Sequence, residues 1–509
     1  MLLPDIIEYA ARKNPDKPAL YFEDTVVTFS ELLTRLRRLA NGLLTVAAPG
    51  DRVAVLSENR AEYIDLYYGV PAAKMGLTFL NYRLNPKELT KIVNDAGARV
   101  LVTEDKYLDT VASIIEDTPS VETVLVMGGG SDRFVDYGDF LAAAPDTPLD
   151  VEVDEDDLAW LIYTSGTTGM PKGAMLSHRN LLMSTLNAAV NGIAEPDQVT
   201  LFPWPLCHVA GYVFPICHLL SAPVVLMRAF ETESFFAHIQ RYRVTNASMA
   251  PTMMNMLLDH PKIGDYDLSS VRLLGYGAAP MPVEVLRRSM ERFPSAGFGT
   301  GFGMTELSGN VFSFPDEAHQ AALAGDVSVL QSVGQQLPLS CVRIVDEDMN
   351  DVAVGDVGEL VVQGDQVTMG YWGNPDATAD AFAGGWFHSG DLAKWDGAGN
   401  CYIVDRKKDM IITGGENVYS REVEEVLYKH PAVAEAAIVG VPDVNWGENV
   451  VAVVQKRTGT DVTETELIAF CKDNLASYKK PKRVVFLDEL PRNAAGKILK
   501  RELRDQLKT

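Results

Sequence analysis

The sequence is poor in cysteine. The cysteines are odd in number, lie far apart and never occur in C-x-x-C spacing; they are Cys207, Cys217, Cys341, Cys401 and Cys471. This spacing argues against a disulfide framework and against a zinc knuckle. A reducing, cytoplasmic environment is therefore expected.

Positive charge is also scarce. Lys and Arg number 45 against 69 Asp and Glu, which gives a formal net charge of -24. An acidic surface repels nucleic-acid phosphate and anionic lipid unless a local basic patch overrides it, so nucleic acid is not expected as a partner. The first residues, MLLPDIIEYAARKNPDK, lack a basic segment followed by an apolar run, so neither a signal peptide nor export is expected.

A long apolar run without interruption is missing too. Residues 199–227 carry no formal charge, but prolines and histidines interrupt them: Pro203, Pro205, Pro215, Pro223, His208 and His218. A bilayer offers no partners for the backbone groups that such breaks expose. The run is therefore predicted to form a buried strand, a loop and a short helix, with a membrane span as the alternative.

The 509 residues are 47% hydrophobic and 22% charged, enough to bury several cores. Thr28 and Glu31 have capping-box spacing and predict a helix over residues 30–44, after a helix at 3–12 and a strand at 19–22. Apolar runs at 52–56, 100–103 and 123–127 alternate with helical patterns. We expect an α/β fold with a large N-terminal domain of helix-covered, largely parallel sheets.

The pattern of apolar and polar residues changes twice towards the C-terminus. Short alternating strands with glycine turns follow Ser340 and predict a small β-rich subdomain over residues 340–404. Strand patterns at 436–441, 450–455 and 484–487 flank a helical pattern at 464–474, which indicates a compact α+β domain. The charged run DRKKD at 405–409 predicts the boundary, with residues 1–404 as the N-terminal domain and 405–509 as a mobile C-terminal domain.

Residues 164–173 read TSGTTGMPKG and follow an apolar strand pattern at 158–163. Hydroxyls, glycines and one lysine in a loop after a strand can surround a polyphosphate. The segment is not a Walker A loop, because Pro171 precedes Lys172 and Gly173 follows it. A plain surface loop is the alternative, and it leaves the strand and the lysine together unexplained.

Residues 297–306 read GFGTGFGMTE and imitate a dinucleotide-binding fingerprint. That fingerprint needs glycine at position 302 or 304, where the sequence has Phe302 and Met304, so NAD binding is not supported. The run ends in Thr305 and Glu306, a hydroxyl and a carboxylate suited to phosphate and to a hard cation such as Mg²⁺. A lone glutamate is more often a surface acid.

These segments, with GYGAAP at 275–280, the stretch from WFHSGDL at 386 to REVE at 424, and PRNAAGKILKREL at 491–503, share an order and spacing with one superfamily. The chain resembles the acyl-CoA synthetase, peptide-synthetase adenylation-domain and luciferase superfamily, and within it the acyl-CoA ligases of the fatty-acid type. The resemblance covers nearly the whole chain. It implies two steps, in which a carboxylate and ATP form acyl-AMP and pyrophosphate, and the thiol of coenzyme A then displaces AMP.

The resemblance also implies residue roles in the first step. The β- and γ-phosphates would be held by Thr164, Ser165, Gly166, Thr167, Thr168, Gly169 and Lys172. Glu306 would hold Mg²⁺, Thr305 would contact the α-phosphate, and Asp391 would bind the ribose hydroxyls. Arg406 would donate to the same ribose or to phosphate. The adenine site would be formed by Gly277, Ala278, Ala279, Pro280, Gly301, Phe302, Gly303 and Met304. Lys497 would stabilise the negative charge that develops at the α-phosphate.

Further roles concern the acid, coenzyme A and domain rotation. The acyl pocket would be lined by His208, Val209, Tyr212 and Gly277, and its glycine and alanine content indicates room for a long or bulky apolar acid. The pantetheine of coenzyme A would pass Gly414, Gly415 and Glu416, and Lys408 would be the hinge. Departures from the family pattern are Phe302 in place of the usual Tyr and Cys207 in place of an aromatic residue.

Other readings stay open at this point. Within the superfamily, the alternative is an adenylate-forming enzyme with another acceptor or with one half-reaction only. A non-catalytic nucleotide-binding protein is disfavoured, because the sequence keeps Lys172, Glu306, Asp391, Arg406 and Lys497. A homodimer is left open, as is contact of the basic C-terminal segment with anionic membrane, for which a solvated surface is the alternative.

Overall fold

The computed structural model describes residues 1–129, 132–164, 171–279, 281–493 and 497–507. The chain divides into two compact units, the first formed by Met1–Cys341 and Val362–Phe387 and the second by Val342–Val361 and His388–Thr509. The boundary expected near residues 405–409 lies within the second unit, and it stays a prediction.

The helices and strands up to residue 190 are α1 (Asp5–Lys13), β1 (Pro18–Phe22), β2 (Thr25–Thr28), α2 (Phe29–Val46), β3 (Arg52–Leu56), α3 (Ala61–Ala72), β4 (Gly76–Leu80), α4 (Pro86–Ala96), β5 (Ala98–Glu104), α5 (Leu108–Ile114), β6 (Thr123–Met127), β7 (Val135–Asp136), α6 (Tyr137–Ala143), β8 (Leu158–Thr164), β9 (Lys172–Ser177) and α7 (His178–Val190). From residue 200 they are β10 (Thr200–Phe202), α8 (Val213–Leu219), β11 (Val224–Leu226), α9 (Thr232–Tyr242), β12 (Asn246–Met249), α10 (Pro251–Asp259), β13 (Leu273–Tyr276), α11 (Val283–Arg292), β14 (Gly297–Met304), β15 (Gly309–Phe314), α12 (Asp316–Ala324) and β16 (Gln335–Gln336).

The remaining elements are β17 (Cys341–Val345), β18 (Gly358–Gln363), α13 (Pro375–Ala381), β19 (Phe387–Trp395), β20 (Cys401–Arg406), β21 (Ile411–Thr413), β22 (Glu416–Val418), α14 (Ser420–Tyr428), β23 (Val433–Asp443), β24 (Gly447–Lys456), α15 (Glu464–Asn474), β25 (Arg483–Phe486) and α16 (Lys500–Leu507).

The first unit contains a pair of largely parallel sheets. One has the strand order β7-β6-β5-β3-β4-β8-β9, in which β9 is antiparallel to β8. The other has the order β16-β15-β14-β13-β12-β10-β11-β1-β2, with antiparallel strands at its ends. Parallel strands have their carboxyl ends at the same edge of a sheet. The residues that follow β13 and β14 therefore lie at one edge of their sheet, and those that follow β4 and β8 lie at one edge of the other sheet.

Helices α2 and α3 lie between these sheets. One buried cluster joins Leu36 of α2 and Tyr67 of α3 to Val53 of β3 and Phe202 of β10. Helix α3 is buried around nearly its whole circumference, as expected of a helix sandwiched between apolar layers. Other helices cover the outer faces of the sheets and pack on them through separate buried clusters. These helices are α4, α5, α9, α10 and α11. The predicted α/β class with helix-covered sheets is confirmed.

Local predictions near the N-terminus hold to within a few residues. The amide of Glu31 donates to Thr28 Oγ1 at 3.3 Å, and the Glu31 carboxylate accepts from the Thr28 amide at 2.8 Å, which completes the capping box. The helix begins at Phe29 and ends at Val46, so its predicted range was short by one residue at the start and two at the end.

The apolar residues 199–227 form β10, α8 and β11 with connecting segments, and most of them are buried in the first unit. The prediction of strand, loop and short helix is confirmed. Within the described ranges, no helix combines the length and the apolar character needed to cross a bilayer.

The second unit contains a sheet with the order β17-β18-β19-β20 and another in which β22-β21-β24-β23 is extended by β25 beside β24. Helices α14 and α15 pack on the latter sheet through one buried cluster. It joins Val423 of α14 and Leu467 of α15 to Ile438 of β23 and Val454 of β24. These elements confirm the β-rich segment and the α+β segment expected after Ser340.

Buried neutral histidines make the first unit sensitive to acid. His218 lies between the Tyr68 hydroxyl, 2.8 Å from its Nδ1, and the Ala19 carbonyl, 3.2 Å from its Nε2. The Leu3 amide donates to His178 Nδ1 at 3.0 Å, so that nitrogen carries no proton. Burial lowers the pKa of each imidazole to about 4, because the interior disfavours the charged form.

We therefore expect the first unit to lose stability as pH falls from about 6.5 to about 4. The unfolded chain takes up these protons first, since its histidines keep the ordinary pKa. Each imidazole accounts for a loss of about 2 kcal/mol at pH 5. Urea unfolding at several pH values should show a shallower acid dependence for His218→Gln than for the wild type. If the free energy of unfolding fell equally with pH in the two proteins, His218 would not be a source of the acid sensitivity.

Candidate active site

Glu306 sits on a single turn of 3-10 helix, Thr305–Leu307, directly after the carboxyl end of β14. The chain then reverses through Ser308, at φ 55°, and Gly309, at φ 146°, into β15. Strands β14 and β15 approach closely at a register shift between Phe302 and Gly303. A Cβ on Gly303 would stand 1.9 Å from the Gly309 carbonyl oxygen. Glycine is thus required at Gly303, and also at Gly301, where a Cβ would stand 2.5 Å from the Phe312 carbonyl oxygen.

The carboxylate of Glu306 is 6% exposed and is contacted from another sheet and from a distant loop. Tyr371 donates its hydroxyl to Glu306 Oε1 at 3.1 Å, and Thr164, the last residue of β8, lies 3.4 Å from the same oxygen through its Oγ1. The structure therefore brings together Thr164 and Glu306, which are far apart in sequence but were both assigned to the nucleotide site.

Lys172 begins β9 and pairs with Thr164 across the antiparallel β8–β9 register. Its ammonium lies 4.8 Å from the centroid of the Tyr371 ring, within cation–π range. Residues 165–170 lie outside the described part of the chain, and with them the predicted phosphate contacts Ser165, Gly166, Thr167, Thr168 and Gly169. The described ends of this segment place the Thr164 hydroxyl beside the buried Glu306 carboxylate and the Lys172 ammonium against the Tyr371 ring.

This donor set fits a magnesium–nucleotide complex. Mg²⁺ is usually held by one or two carboxylates together with substrate phosphates and water, and not by a cage of protein ligands. Within the described ranges no group of three or more His, Cys, Asp or Glu side chains is arranged around a common point. Glu306 would supply the protein carboxylate for this cation, and Lys172 and Thr164 would hold the phosphates.

Several supporting residues carried no signal in the sequence. Tyr371 lies 65 positions after Glu306, to which it is hydrogen-bonded. Gln366 is fully buried and donates to the carbonyls of Leu307, at 3.0 Å, and Asn310, at 3.1 Å. It thereby fixes the turn that carries Glu306. Neither residue belongs to a pattern with recognisable chemistry, so only their contacts could reveal them.

Gly277, Ala278 and Ala279 follow β13, beside the end of β14, at the same edge of the sheet. Ala278 has φ 63°, a left-handed conformation that non-glycine residues adopt at a cost of order 1–3 kcal/mol. A Cβ built on Gly277 meets no described heavy atom within 4 Å. Open space at Gly277 agrees with its predicted position beside a ligand. Pro280 lies outside the described residues.

The predicted acyl-pocket residues His208, Val209 and Tyr212 lie in the loop and short 3-10 helix after β10. Tyr212 packs on Gly309, where an added Cβ would be 3.1 Å from the Tyr212 ring. This contact places Tyr212 next to the turn that carries Glu306. Burial raises the pKa of Tyr212 to about 12.

Two buried residues of the first unit hold the loop before His208. Asn59 donates to the carbonyls of Trp204 and Met227, both at 2.8 Å, and accepts from the Leu206 amide at 2.8 Å. Tyr67 donates its hydroxyl to the Leu206 carbonyl at 2.6 Å. The sequence did not point to either residue, because both belong to α3 or the loop before it and look like ordinary core positions.

In the second unit, Asp391 and Arg406 form a predicted pair that the structure confirms as neighbours. They oppose each other in the β19–β20 register, and Arg406 Nε lies 2.9 Å from Asp391 Oδ1. Asp391 is 2% exposed, and its amide donates to Ser389 Oγ at 3.0 Å. A buried carboxylate held by a guanidinium presents a fixed acceptor for hydroxyl groups.

Gly414 and Gly415 form the turn of the β21–β22 hairpin, with φ 62° and 85°, and Glu416 begins β22. Both angles are positive, as a two-residue hairpin turn requires. The Gly414 amide donates to the Trp446 carbonyl at 2.7 Å. This hairpin belongs to a different sheet from Asp391 and Arg406, so the structure does not group the predicted pantetheine residues with the predicted ribose residues.

Lys408 and Lys497 also belong to the second unit. Lys408 lies in the 3-10 turn Lys407–Asp409 that links β20 to β21. Burial, together with Arg406, Arg504 and Lys497 nearby, lowers the pKa of its ammonium. Lys497 is exposed, and its amide donates to Asn493 Oδ1 at 2.9 Å, just before α16. Their roles as hinge and as catalytic residue stay predictions.

The model of the family "AMP-binding enzyme" matches residues 7–372, and that of the "AMP-binding enzyme C-terminal domain" matches residues 422–497. The chain belongs to the AMP-binding enzyme family. This membership confirms the resemblance read from the motifs.

Similar proteins support the same placement of this AMP-binding enzyme. It is 40% identical to a feruloyl-CoA synthase from Amycolatopsis over 97% of its own length and 96% of that protein. It is 34% identical to a fatty acid–[acyl-carrier-protein] ligase, ScoC, from Streptomyces coeruleorubidus, over 98% and 95% of the two chains. ATP-bound MatB from Rhodopseudomonas palustris has a TM-score of 0.89 at 31% identity, covering 100% of this chain and 99% of that one. Within its family the protein is an enzyme of the AMP-forming acyl-CoA ligase class.

Proposed function

We propose that the enzyme uses ATP to activate a bulky apolar carboxylic acid as its acyl-adenylate and then transfers the acyl group to coenzyme A. The observation that carries the proposal is a cluster at strand ends of two sheets. Thr164 lies 3.4 Å from the Glu306 carboxylate, and Tyr371 contacts Glu306 through its hydroxyl and the Lys172 ammonium through its ring. A carboxylate, a hydroxyl and an ammonium at strand ends form a site for a triphosphate with its cation.

In the first step a carboxylate oxygen of the acid attacks the α-phosphorus of ATP, and the bond to pyrophosphate breaks. Lys172 and Thr164 hold the outgoing phosphates, and Thr305 contacts the α-phosphate. Lys497 stabilises the extra negative charge at the α-phosphate by its own charge, without removing a proton. Bound at Glu306, Mg²⁺ neutralises charge on the phosphates.

The nucleoside contacts follow from the residues that match the family motifs. Ala278, Ala279 and the end of β14 contact adenine, where the Phe302 ring replaces the usual tyrosine. Asp391 accepts hydrogen bonds from the ribose hydroxyls, and Arg406 holds this carboxylate in place. In the second step the sulfur of coenzyme A attacks the acyl carbon and AMP leaves, with pantetheine passing Gly414, Gly415 and Glu416. Rotation of the C-terminal domain about Lys408 switches the enzyme from the first step to the second.

The relatives and the open space at Gly277 favour one class of acid as the substrate. A feruloyl-CoA synthase at 40% identity favours substituted aromatic acids over simple fatty acids. The open space at Gly277 leaves room for such an acid. A panel of aryl, cinnamic and fatty acids, compared by kcat/KM for pyrophosphate release, tests this ranking. Highest values for unbranched fatty acids of any length would reject it.

A second acceptor has specific support. The ScoC relative, named as a fatty acid–[acyl-carrier-protein] ligase, is 34% identical. Transfer to the pantetheine thiol of a carrier protein uses the same chemistry as transfer to coenzyme A. Parallel reactions with coenzyme A and with a phosphopantetheinylated carrier protein distinguish the two acceptors. A cytoplasmic location, a homodimer and contact with anionic membrane stay predictions from the sequence.

Gly277→Val is expected to impair bulky acids without harming the fold. No described atom lies within 4 Å of a Cβ at this position, so the free energy of unfolding should change by less than about 0.5 kcal/mol. The added methyl groups instead occupy space meant for the ligand, and kcat/KM for the best acid should fall roughly tenfold. Gly264→Val is the matched control, because a Cβ at Gly264 is equally unobstructed. Equal activity of both variants would refute the assignment of Gly277.

A further inference from the structure

A segment of the first unit, residues 369–372, runs beside β9 and is joined to it by an isolated antiparallel bridge between Ala174 and Tyr371. The Met175 amide donates to the Gly370 carbonyl and the Met369 amide to the Met175 carbonyl, both at 3.0 Å. The Trp372 amide donates to the Gly173 carbonyl at 2.8 Å. The segment is thereby tied to the strand that begins with Lys172.

The same segment is tied to the turn that carries Glu306. The Thr368 amide donates to the Glu306 carbonyl at 2.8 Å, and the Tyr371 hydroxyl donates to the Glu306 carboxylate at 3.1 Å. Tyr371 also presents its ring face to the Lys172 ammonium at 4.8 Å. One side chain therefore contacts both charges assigned to the nucleotide, each through a different surface.

The position of Tyr371 is itself fixed by its neighbours. Its amide donates to Thr378 Oγ1 at 2.9 Å. Gly370 has φ 123°, and a Cβ there would lie 2.5 Å from Thr378 Cγ2, so only glycine allows the chain to enter Tyr371 in this way. A tyrosine held so firmly can fix the partners that it contacts.

We propose that Tyr371 is a positioning residue of the nucleotide site, which orients the Glu306 carboxylate through its hydroxyl and the Lys172 ammonium through its ring. The inference rests on the proposed function, because it takes Glu306 as the magnesium ligand and Lys172 as the phosphate ligand. A hydrogen bond to one oxygen of a carboxylate restricts its rotation and leaves the other oxygen available. Partners of this kind typically affect metal affinity by 10–100-fold.

The hydroxyl and the ring can be separated by two substitutions. Tyr371→Phe removes the hydrogen bond to Glu306 and keeps the ring under Lys172, whereas Tyr371→Leu removes both contacts. Tyr137→Phe is the matched control, since Tyr137 also donates its hydroxyl to a buried carboxylate, Asp65, at 3.1 Å, outside the proposed site. Isothermal titration of the full chain with α,β-methylene-ATP, in excess Mg²⁺ and in EDTA, gives a readout that needs no turnover.

We expect Tyr371→Phe to weaken binding of the analogue roughly tenfold in Mg²⁺ and to leave binding in EDTA unchanged. Tyr371→Leu should weaken binding under both conditions. Tyr137→Phe should lower the melting temperature but leave both affinities as in the wild type. In steady-state assays Tyr371→Phe should raise the Mg²⁺ concentration needed for half-maximal rate, with a smaller effect on kcat.

Wild-type affinity of Tyr371→Phe in Mg²⁺ would overturn the inference, as would equal weakening with and without Mg²⁺. Wild-type binding that does not strengthen with Mg²⁺ would also overturn it. A different result would contradict the proposed function, namely that the wild type forms no AMP in response to an added acid. The binding results stand independently of that outcome.

Discussion

Lys497→Ala is expected to lower the formation of acyl-AMP from ATP and acid by on the order of 10²–10³-fold. The lysine lies on an exposed segment before α16, where its amide is held by Asn493. In the proposed mechanism its flexible ammonium would stabilise charge that appears at the α-phosphate only during the first step. Acid-dependent exchange of labelled pyrophosphate into ATP measures this step alone.

The second half-reaction should survive the same substitution. Supplied acyl-AMP and coenzyme A should give acyl-CoA at close to the wild-type rate, because the role proposed for Lys497 is confined to the first step. Lys472→Ala is the control, since Lys472 is an exposed lysine in the last turn of α15. If Lys497→Ala slowed both half-reactions equally, the assigned role would be wrong.

Glu306→Gln is expected to lower adenylate formation by roughly 10²-fold or more and to weaken the response to Mg²⁺. The amide oxygen can still accept the hydroxyls of Tyr371 and Thr164, so the turn should keep its shape. Only the negative charge that attracts a divalent cation is lost. Initial rates at increasing free Mg²⁺, with ATP held constant, measure the effect.

The melting temperature of Glu306→Gln should stay close to that of the wild type. A low rate combined with an unchanged half-maximal Mg²⁺ concentration would show that Glu306 does not hold the cation. Glu62→Gln serves as control, because Glu62 is paired with Arg60 at 3.1 Å and has no assigned role.

Regular elements with strong local signals could be predicted from the sequence. The helix expected over residues 464–474 matches α15, Glu464–Asn474, and the apolar run 52–56 matches β3, Arg52–Leu56. In both, periodicity and flanking polar residues determine the element locally. The α/β class followed from the alternation of such runs.

The site could be predicted only where a motif carries chemistry. Asp391 and Arg406 were both assigned to the nucleotide, and the β19–β20 register places them opposite each other. The sequence did not predict the roles of Tyr371, Gln366 and Asn59, because each of them contacts a segment that is far away in sequence. Long-range contacts of this kind depend on how the sheets pack, and local pattern does not encode them.

We expect this enzyme to split ATP into AMP and pyrophosphate only when it forms an acyl-CoA. The most direct test quantifies AMP, ADP, pyrophosphate and acyl-CoA by chromatography after incubation of the full chain with ATP, Mg²⁺, a cinnamic or aryl acid and coenzyme A. We predict AMP and acyl-CoA in equal amounts, with no sustained AMP formation when either acid or coenzyme A is omitted. Formation of ADP, or of AMP independent of both acid and thiol, would contradict the account.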